Sequence, residues 1–244
     1  MFCRLTISKY VNHTYKICKT PISFKSNQHR FTNYFKENNE KLYNNIIRAR
    51  SNIFDYCMCN EFTFFVTLTI NPKYNRNDLE WVRKTTSQII RNLRCKYTGD
   101  FKYILIPEQH KDGAWHLHGL FNSDFGKDFY INDYNYLSWA SFDKIGFSSI
   151  SKINNYLACV KYITKYIKKD FEKREKGKHL YFCSNNLIKS NKICDLVFSQ
   201  LHLSFDYDGD FASRSIVTDE ELKNIINYIK KDIYSVLDDR ECLL

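Results

Sequence analysis

The run Tyr103-Ile104-Leu105-Ile106-Pro107-Glu108-Gln109-His110-Lys111-Asp112-Gly113-Ala114-Trp115-His116-Leu117-His118-Gly119-Leu120-Phe121 constrains this chain more than any other stretch. Two apolar runs flank a polar segment with an Asp-Gly turn, the pattern of a β-hairpin. Side chains alternate along a strand, so His116 and His118 share one face and Leu117 takes the other. Two residues of strand rise is roughly 7 Å, a gap that two imidazoles can lean across toward one ion. Glu108 lies on the partner strand near the turn, where its carboxylate can face the histidine pair. Two neutral imidazoles and a carboxylate form a divalent-metal site with open positions. The third ligand depends on register. A one-residue slip would turn Gln109 toward the site, and His110 shares the face of Glu108 if the strand runs that far. Glu108 is preferred because its charge offsets that of a divalent ion.

A second constellation is Asn154-Asn155-Tyr156-Leu157-Ala158-Cys159-Val160-Lys161-Tyr162-Ile163-Thr164-Lys165-Tyr166-Ile167-Lys168-Lys169. On a helical projection Ile153, Leu157, Val160, Thr164 and Ile167 form a core stripe. Tyr162, Lys165, Tyr166 and Lys169 form the opposite stripe, with the two tyrosines neighbours at i,i+4. A phenol ionises near pH 10 and is a poor nucleophile at neutral pH. A nearby ammonium favours the phenolate, and a divalent ion drains charge from a target phosphate. Tyrosine, lysine and metal together suit the transfer of a phosphodiester onto protein.

Other segments are read as scaffold. Glu40 to Tyr56 suits a basic amphipathic helix carrying Arg48 and Arg50. Phe62 to Ile70 is the clearest strand. It turns Val66, Leu68 and Ile70 to one face, and Phe65, Thr67 and Thr69 to the other, where the hydroxyls can line a site. Asn77 to Tyr97 reads as a helix capped by Asn77, with Glu80 three residues on. A Tyr- and Asp-rich connection follows the hairpin, from about Asn122 to Tyr136. Leu201 to Phe205 suits one more strand. Thr218-Asp219-Glu220-Glu221 is a capping box. It opens a helix with Leu222, Ile225, Ile226, Ile229, Ile233, Val236 and Leu237 on one stripe.

The three motifs Phe65-Val66-Thr67-Leu68-Thr69, Glu108 with His116-Leu117-His118-Gly119, and Tyr162-Ile163-Thr164-Lys165-Tyr166 occur in an order that resembles the HUH rolling-circle replication initiators. The pattern looks closest to the replication-associated proteins of small circular phages and plasmids. The resemblance spans roughly residues 60 to 190, with Gly177-Lys178-His179-Leu180-Tyr181-Phe182-Cys183-Ser184-Asn185-Asn186-Leu187 similar to the family's closing strand. The third motif also fits one turn earlier, with Ala158 in the upstream tyrosine position; the register from Tyr162 supplies both tyrosines. The resemblance implies an α+β fold with a five-stranded antiparallel sheet flanked by helices. It implies a Mg²⁺ or Mn²⁺ site at Glu108, His116 and His118. It also implies nicking and joining of single-stranded DNA at a replication origin through a 5′-phosphotyrosine. Tyr162 would attack first, Tyr166 second, and Lys165 would assist. Thr67, Thr69, Lys161, Lys168 and Lys169 are the candidate DNA contacts, and a host polymerase and helicase the expected partners. Relaxases and single-strand transposases share such a site.

Charge and composition agree with a nucleic-acid partner. The net charge is +10 and the pI about 9.0, which favours a polyanion. A DNA-binding protein without catalysis has the same signature. A histidine–carboxylate iron oxygenase would leave the charge unexplained. Nine cysteines without a Cys-x-x-Cys pair suggest reduced thiols. No apolar run nears membrane-spanning length and no signal-peptide plan is present, so the expectation is a soluble protein in the cytoplasm of a bacterial host cell. No Gly-x-x-x-x-Gly-Lys loop suggests a fused helicase. The domain plan read from these signals is a basic arm and helix over 1–58, a nuclease domain over 59–205, and a C-terminal helix over 206–244 packed on the core.

Overall fold

The structure is a computed structural model describing residues 3–11, 13–22, 34–167, 179–198, 203–208 and 213–241. Side chains are described throughout these except at 34–44, 207–208 and 231–241. The chain divides into two compact units: one of residues 31–188, the other of residues 1–30 and 189–244. Both are α+β with antiparallel sheets. This division differs from the plan of arm, nuclease domain and C-terminal helix. It joins the two ends of the chain in one unit and gives the first long helix to the other.

The unit of residues 31–188 carries a seven-stranded sheet rather than the five strands expected. In chain order it contains helix α1 (Tyr34–Cys59), strand β3 (Phe64–Ile70), helix α2 (Leu79–Lys96), β4 (Tyr103–Gln109), β5 (Trp115–Phe121), β6 (Phe129–Ile131), β7 (Leu137–Trp139), the short helix α3 (Ala140–Asp143), β8 (Gly146–Lys152), α4 (Tyr156–Ile163) and β9 (Phe182–Cys183). The spatial order is β6-β7-β8-β3-β5-β4-β9. The additional strands come from the Tyr- and Asp-rich connection, where β6 and β7 pair around a turn held by the Asn132 side chain, which accepts from the Tyr134 and Tyr136 amides. Three-residue strands are too short to show periodicity. β9 is the short closing strand, pairing with Ile104 and Leu105; Gly177 and Lys178 lie outside the described residues.

Two cores clamp this sheet. On one face Val66, Leu68 and Ile70 of β3, with Leu105, Leu117 and Phe121, pack against Val82, Ile90 and Leu93 of α2 and Phe142 of α3. On the other, Ile104, Ile106 and Leu120 pack against Ile46, Ala49 and Ile53 of α1 and Val160 and Ile163 of α4. The α2 cap is Asp78, one residue past the position expected. Its carboxylate accepts from the Glu80 amide at 2.8 Å and the Trp81 amide at 3.2 Å, and a carboxylate also complements the positive helix end.

The other unit contains β1 (Cys3–Lys9), β2 (Thr14–Pro21), β10 (Asn191–Phe198), β11 (Tyr207–Asp208), β12 (Ser213–Thr218) and α5 (Asp219–Glu241), with sheet order β10-β1-β2-β12-β11. The expected irregular arm is therefore a hairpin. Cys3, Leu5 and Ile7 alternate with Arg4, Thr6 and Ser8, and the apolar set is buried with Tyr15, Ile17, Val217, Leu222 and Ile229. The α5 stripe thus packs on this sheet, and the core it was expected to join belongs to the other unit. Its capping box is formed: the Thr218 amide donates to Glu221 at 2.8 Å, and the Glu221 amide to the Thr218 hydroxyl at 3.4 Å. The side chains of Ile233, Val236 and Leu237 lie outside the described ones. Residues 203–206 are irregular rather than strand, and Leu201 lies outside the described residues. No described helix is long and apolar enough to cross a membrane.

Gly119 shows how tightly the site-bearing strand is held. A Cβ there would lie 2.5 Å from the Ile104 carbonyl oxygen and 2.5 Å from a Leu105 methyl. Leu105 can rotate; the backbone oxygen cannot move without opening the β4–β5 ladder. Gly119→Ala should therefore destabilise this unit by about 1–3 kcal/mol, read as a lower denaturation midpoint in urea.

Candidate metal centre and tyrosine pair

The central sheet face changes character along its length. At one end it is apolar, where Phe65, Ile104, Ile106 and Leu120 lie under α1 and α4. At the other it is polar, and the register places the polar groups together. His118 pairs with Thr67 on one side and Ile106 on the other, and His116 pairs with Thr69 and Glu108. Since paired residues share a face, Thr67, Thr69, His116, His118 and Glu108 all project from the same side.

Their contacts are specific. The Thr67 hydroxyl lies 3.2 Å from His118 Nδ1, and the Thr69 hydroxyl 3.0 Å from His116 Nδ1. His118 Nε2 lies 2.9 Å from Glu108 Oε2. The threonines expected to touch DNA thus hold the imidazoles, the kind of outer contact that fixes ring orientation in a metal site. His118 is only 7% exposed. Burial first, and then the nearby His110 and His118 charges, lower the His116 pKa from its ordinary value. The neutral form is the one that can ligate an ion.

The hairpin turn settles which side chains face the histidines. Gly113 adopts φ +85°, and its amide donates to the His110 carbonyl at 2.9 Å. The Gln109 side chain donates to the Gly113 carbonyl at 3.1 Å, within the turn. Glu108 is the residue brought to the His116–His118 face. His110 joins it beyond the strand end: its ring stacks on His116 at 3.6 Å between centroids, and its Nε2 lies 4.0 Å from Glu108 Oε2. Among the described residues, no three His, Cys, Asp or Glu side chains are already gathered as a metal cluster. The donor types nevertheless suit a divalent ion: two neutral imidazoles and one carboxylate, with both Nδ1 atoms engaged by hydroxyls.

The tyrosine motif hangs over this polar end. α4 starts at Asn155, whose side chain accepts from the Ala158 amide at 3.1 Å, and stops at Ile163, not at Lys169. A 3-10 turn, Thr164–Tyr166, follows. The buried anchors are Val160, Ile163 and Ile167. Leu157, expected in the core stripe, is 39% exposed, and Ile163 takes its place. Tyr166 stacks on His118 at 3.8 Å between centroids and 11° between planes. Its hydroxyl donates to that of Tyr162 at 2.5 Å. Tyr162 packs against Phe65 at 5.8 Å and is 50% exposed. Burial, then the bond to Tyr162, raise the Tyr166 pKa well above the ordinary phenol value. Lys161 and Lys165 are exposed; Lys168 and Lys169 lie outside the described residues. Of the other reactive side chains, the described cysteines are all free thiols, with Cys57 and Cys59 buried.

Sequence reasoning misses two partners here. It weighs His110 only as a rival to Glu108, and the His110 ring stack has no periodic signal. It reads Arg50 as part of a basic helix face, yet Arg50 reaches the backbone beside Tyr166.

A family model of replication-associated proteins, described as the ORF2 and gene 2 protein type, matches residues 63–171. The match takes in β3, the hairpin and the tyrosine turn, and it supports a replication initiator. No curated protein and no solved structure gives a significant match.

Because folding lowers the His116 pKa, its protonation opposes folding as pH falls below the ordinary value of 6.5. An NMR titration of the metal-free protein should place the His116 midpoint below 6.5, and Thr69→Val should broaden or shift its ring resonances.

Proposed function

We propose that this chain is a metal-dependent, single-strand DNA endonuclease and strand transferase that starts rolling-circle replication, a member of the HUH group. One observation carries the reading: the tyrosine pair lies against the same strand face as the histidines and Glu108, with Tyr166 stacked directly on His118. A nucleophile pair, two imidazoles and a carboxylate within one cluster have no bland structural account. The family match supports the replication setting.

Glu108, His116 and His118 would hold Mg²⁺ or Mn²⁺, with the His118–Glu108 hydrogen bond giving way to the ion. A bound ion there would withdraw charge from the scissile phosphate and orient it. The rest is the work of the chain. The Tyr162 oxygen attacks phosphorus, forming a Tyr–O–P bond as the P–O3′ bond breaks. The phenolic proton passes to solvent, and the leaving 3′ oxygen takes up a proton to become a free 3′-OH. One phosphodiester replaces another, so the step is reversible and joining is its reverse. Tyr162 is suited to go first because it is the more exposed and because its oxygen accepts the Tyr166 hydrogen bond, which favours its phenolate. Tyr166, protonated and half-buried, is the second nucleophile for a later cut.

Beyond Thr69 the same face continues onto β8. There Phe147 pairs with Thr69 and is 52% exposed, a surface on which an unpaired base can stack. Most of the net positive charge lies in the unit of residues 31–188, and salt-sensitive phosphate contacts would supply most of the affinity. Lys161 and Lys165, with Lys168 and Lys169, are the cations of the tyrosine segment assigned to the backbone.

The test uses 3′-labelled single-stranded oligonucleotides tiling the replicon that encodes the chain, with Mn²⁺ or a chelator. Wild type should give a covalent protein–DNA adduct only with metal. His116→Ala and His118→Ala should abolish it while leaving DNA affinity near wild type, and Tyr162→Phe should remove it. Binding without any adduct under all metals would make the chain a non-catalytic DNA-binding protein. An adduct that survives both tyrosine substitutions would place the attacking group elsewhere.

A further inference from the structure

The tyrosine pair sits on backbone that cannot support itself. α4 has 8 residues and the 3-10 turn carrying Tyr166 adds 3. A helix this short is unstable alone, and 3-10 bonding has poorer geometry than α. The carbonyls at its C-terminal end lack intrahelical donors.

One of these carbonyls is satisfied from another element. Arg50, on α1, directs both Nε and Nη2 at the Ile167 carbonyl, with Nε donating at 2.9 Å. Ile167 directly follows Tyr166, and its φ of −81° and ψ of 83° end the helical path. Its side chain is fully buried, in the core shared by Ile46, Ala49 and Ile53 of α1. The chain is thus fixed one residue beyond Tyr166 by an apolar anchor and a charged clamp. The clamp comes from a long helix whose own stripe is packed. A guanidinium at a helix C-terminus also meets the negative end of the dipole, and its planar fork supplies two directed bonds where an ammonium supplies a point charge.

We propose that Arg50 is a positioning residue for the tyrosine pair. It holds the turn so that Tyr166 stays stacked on His118 and bonded to Tyr162, which keeps the Tyr162 oxygen as the one presented for attack. This rests on the strand-transfer reading above, and it requires no contact between Arg50 and DNA.

The experiment compares wild type, Arg50→Ala and Arg50→Lys as full-length proteins on the same 3′-labelled oligonucleotides with Mn²⁺. At saturating DNA, adduct formation by Arg50→Ala should slow by about 10- to 100-fold, the scale of a small misplacement of a reacting group, with Kd unchanged. Arg50→Lys should recover part of the rate. Peptide mapping should find the wild-type adduct on Tyr162 alone and the Arg50→Ala adduct divided between Tyr162 and Tyr166, a redistribution that lost stability would not cause. Adduct formation at the wild-type rate and only on Tyr162 would overturn the proposal. So would a Kd that rises in step with the lost rate, since Arg50 would then be a phosphate contact. A second readout does not depend on cleavage. The Tyr166 ring resonances, displaced by stacking on His118, should move toward free-tyrosine positions in Arg50→Ala, and unchanged resonances overturn the proposal even if wild type forms no adduct. Absence of a wild-type adduct, by contrast, counts against the strand-transfer reading alone.

Discussion

Everything at the candidate site hangs on the register of three neighbouring strands. β3, β5 and β4 pair so that Thr67 meets His118, Thr69 meets His116, and His116 meets Glu108. Strand side chains alternate strictly, so a slip of one residue in either ladder would send a full set of polar groups into the α2 core and Leu117 to solvent. The burial of Val66, Leu68, Ile70, Leu117 and Phe121 on the α2 side forbids that slip. Hydrophobic burial on one face therefore dictates the chemistry on the other. Gly119 adds to this by letting the β4 backbone approach where a side chain would not fit.

The second dependency is between elements far apart in sequence. The tyrosine turn belongs to a short helix, but its place over the histidines is set by Val160, Ile163 and Ile167 packing against α1 and the apolar end of the same sheet face. Burial does two things there. It fixes the stack of Tyr166 on His118, and it raises the pKa of Tyr166. The pair is thereby differentiated: one half-buried donor and one exposed acceptor. An identical helical pair on an open surface would have no such asymmetry.

Much of this is legible in the sequence, because the signals are local and periodic. Alternation puts Thr67 and Thr69 on one face of their strand and His116 and His118 on one face of theirs, as the ladders do. The Asp112-Gly113 turn marks the hairpin, and spacing alone makes Tyr162 and Tyr166 neighbours. The differences have physical causes. A continuous α-helix through Lys169 would bury Leu157; the 3-10 turn changes the angular step, and Ile163 is buried instead. The alternation of Cys3, Leu5 and Ile7 with polar residues is present in the sequence, but the surrounding basic residues read more readily as an arm. Strand β1 pairs with β10, which lies on the far side of the whole nuclease-like unit in sequence, and a chain-order reading has no signal for such a partner. β6, β7 and β9 are too short to declare themselves, so the sheet is undercounted from sequence. The Arg50 clamp joins residues separated by 117 positions, and nothing periodic announces it.

The central claim is that Glu108, His116 and His118 form one metal centre and that the tyrosine pair lies beside it. Paramagnetic broadening by Mn²⁺, titrated into isotope-labelled metal-free protein, tests both parts at once without DNA. The account predicts that His116, His118 and Glu108 resonances broaden first, followed by those of the Tyr166 and Tyr162 rings, and that Glu108→Ala weakens the effect at all of them together. Broadening that spares the histidines, or that reaches them but leaves both tyrosines sharp, would contradict it.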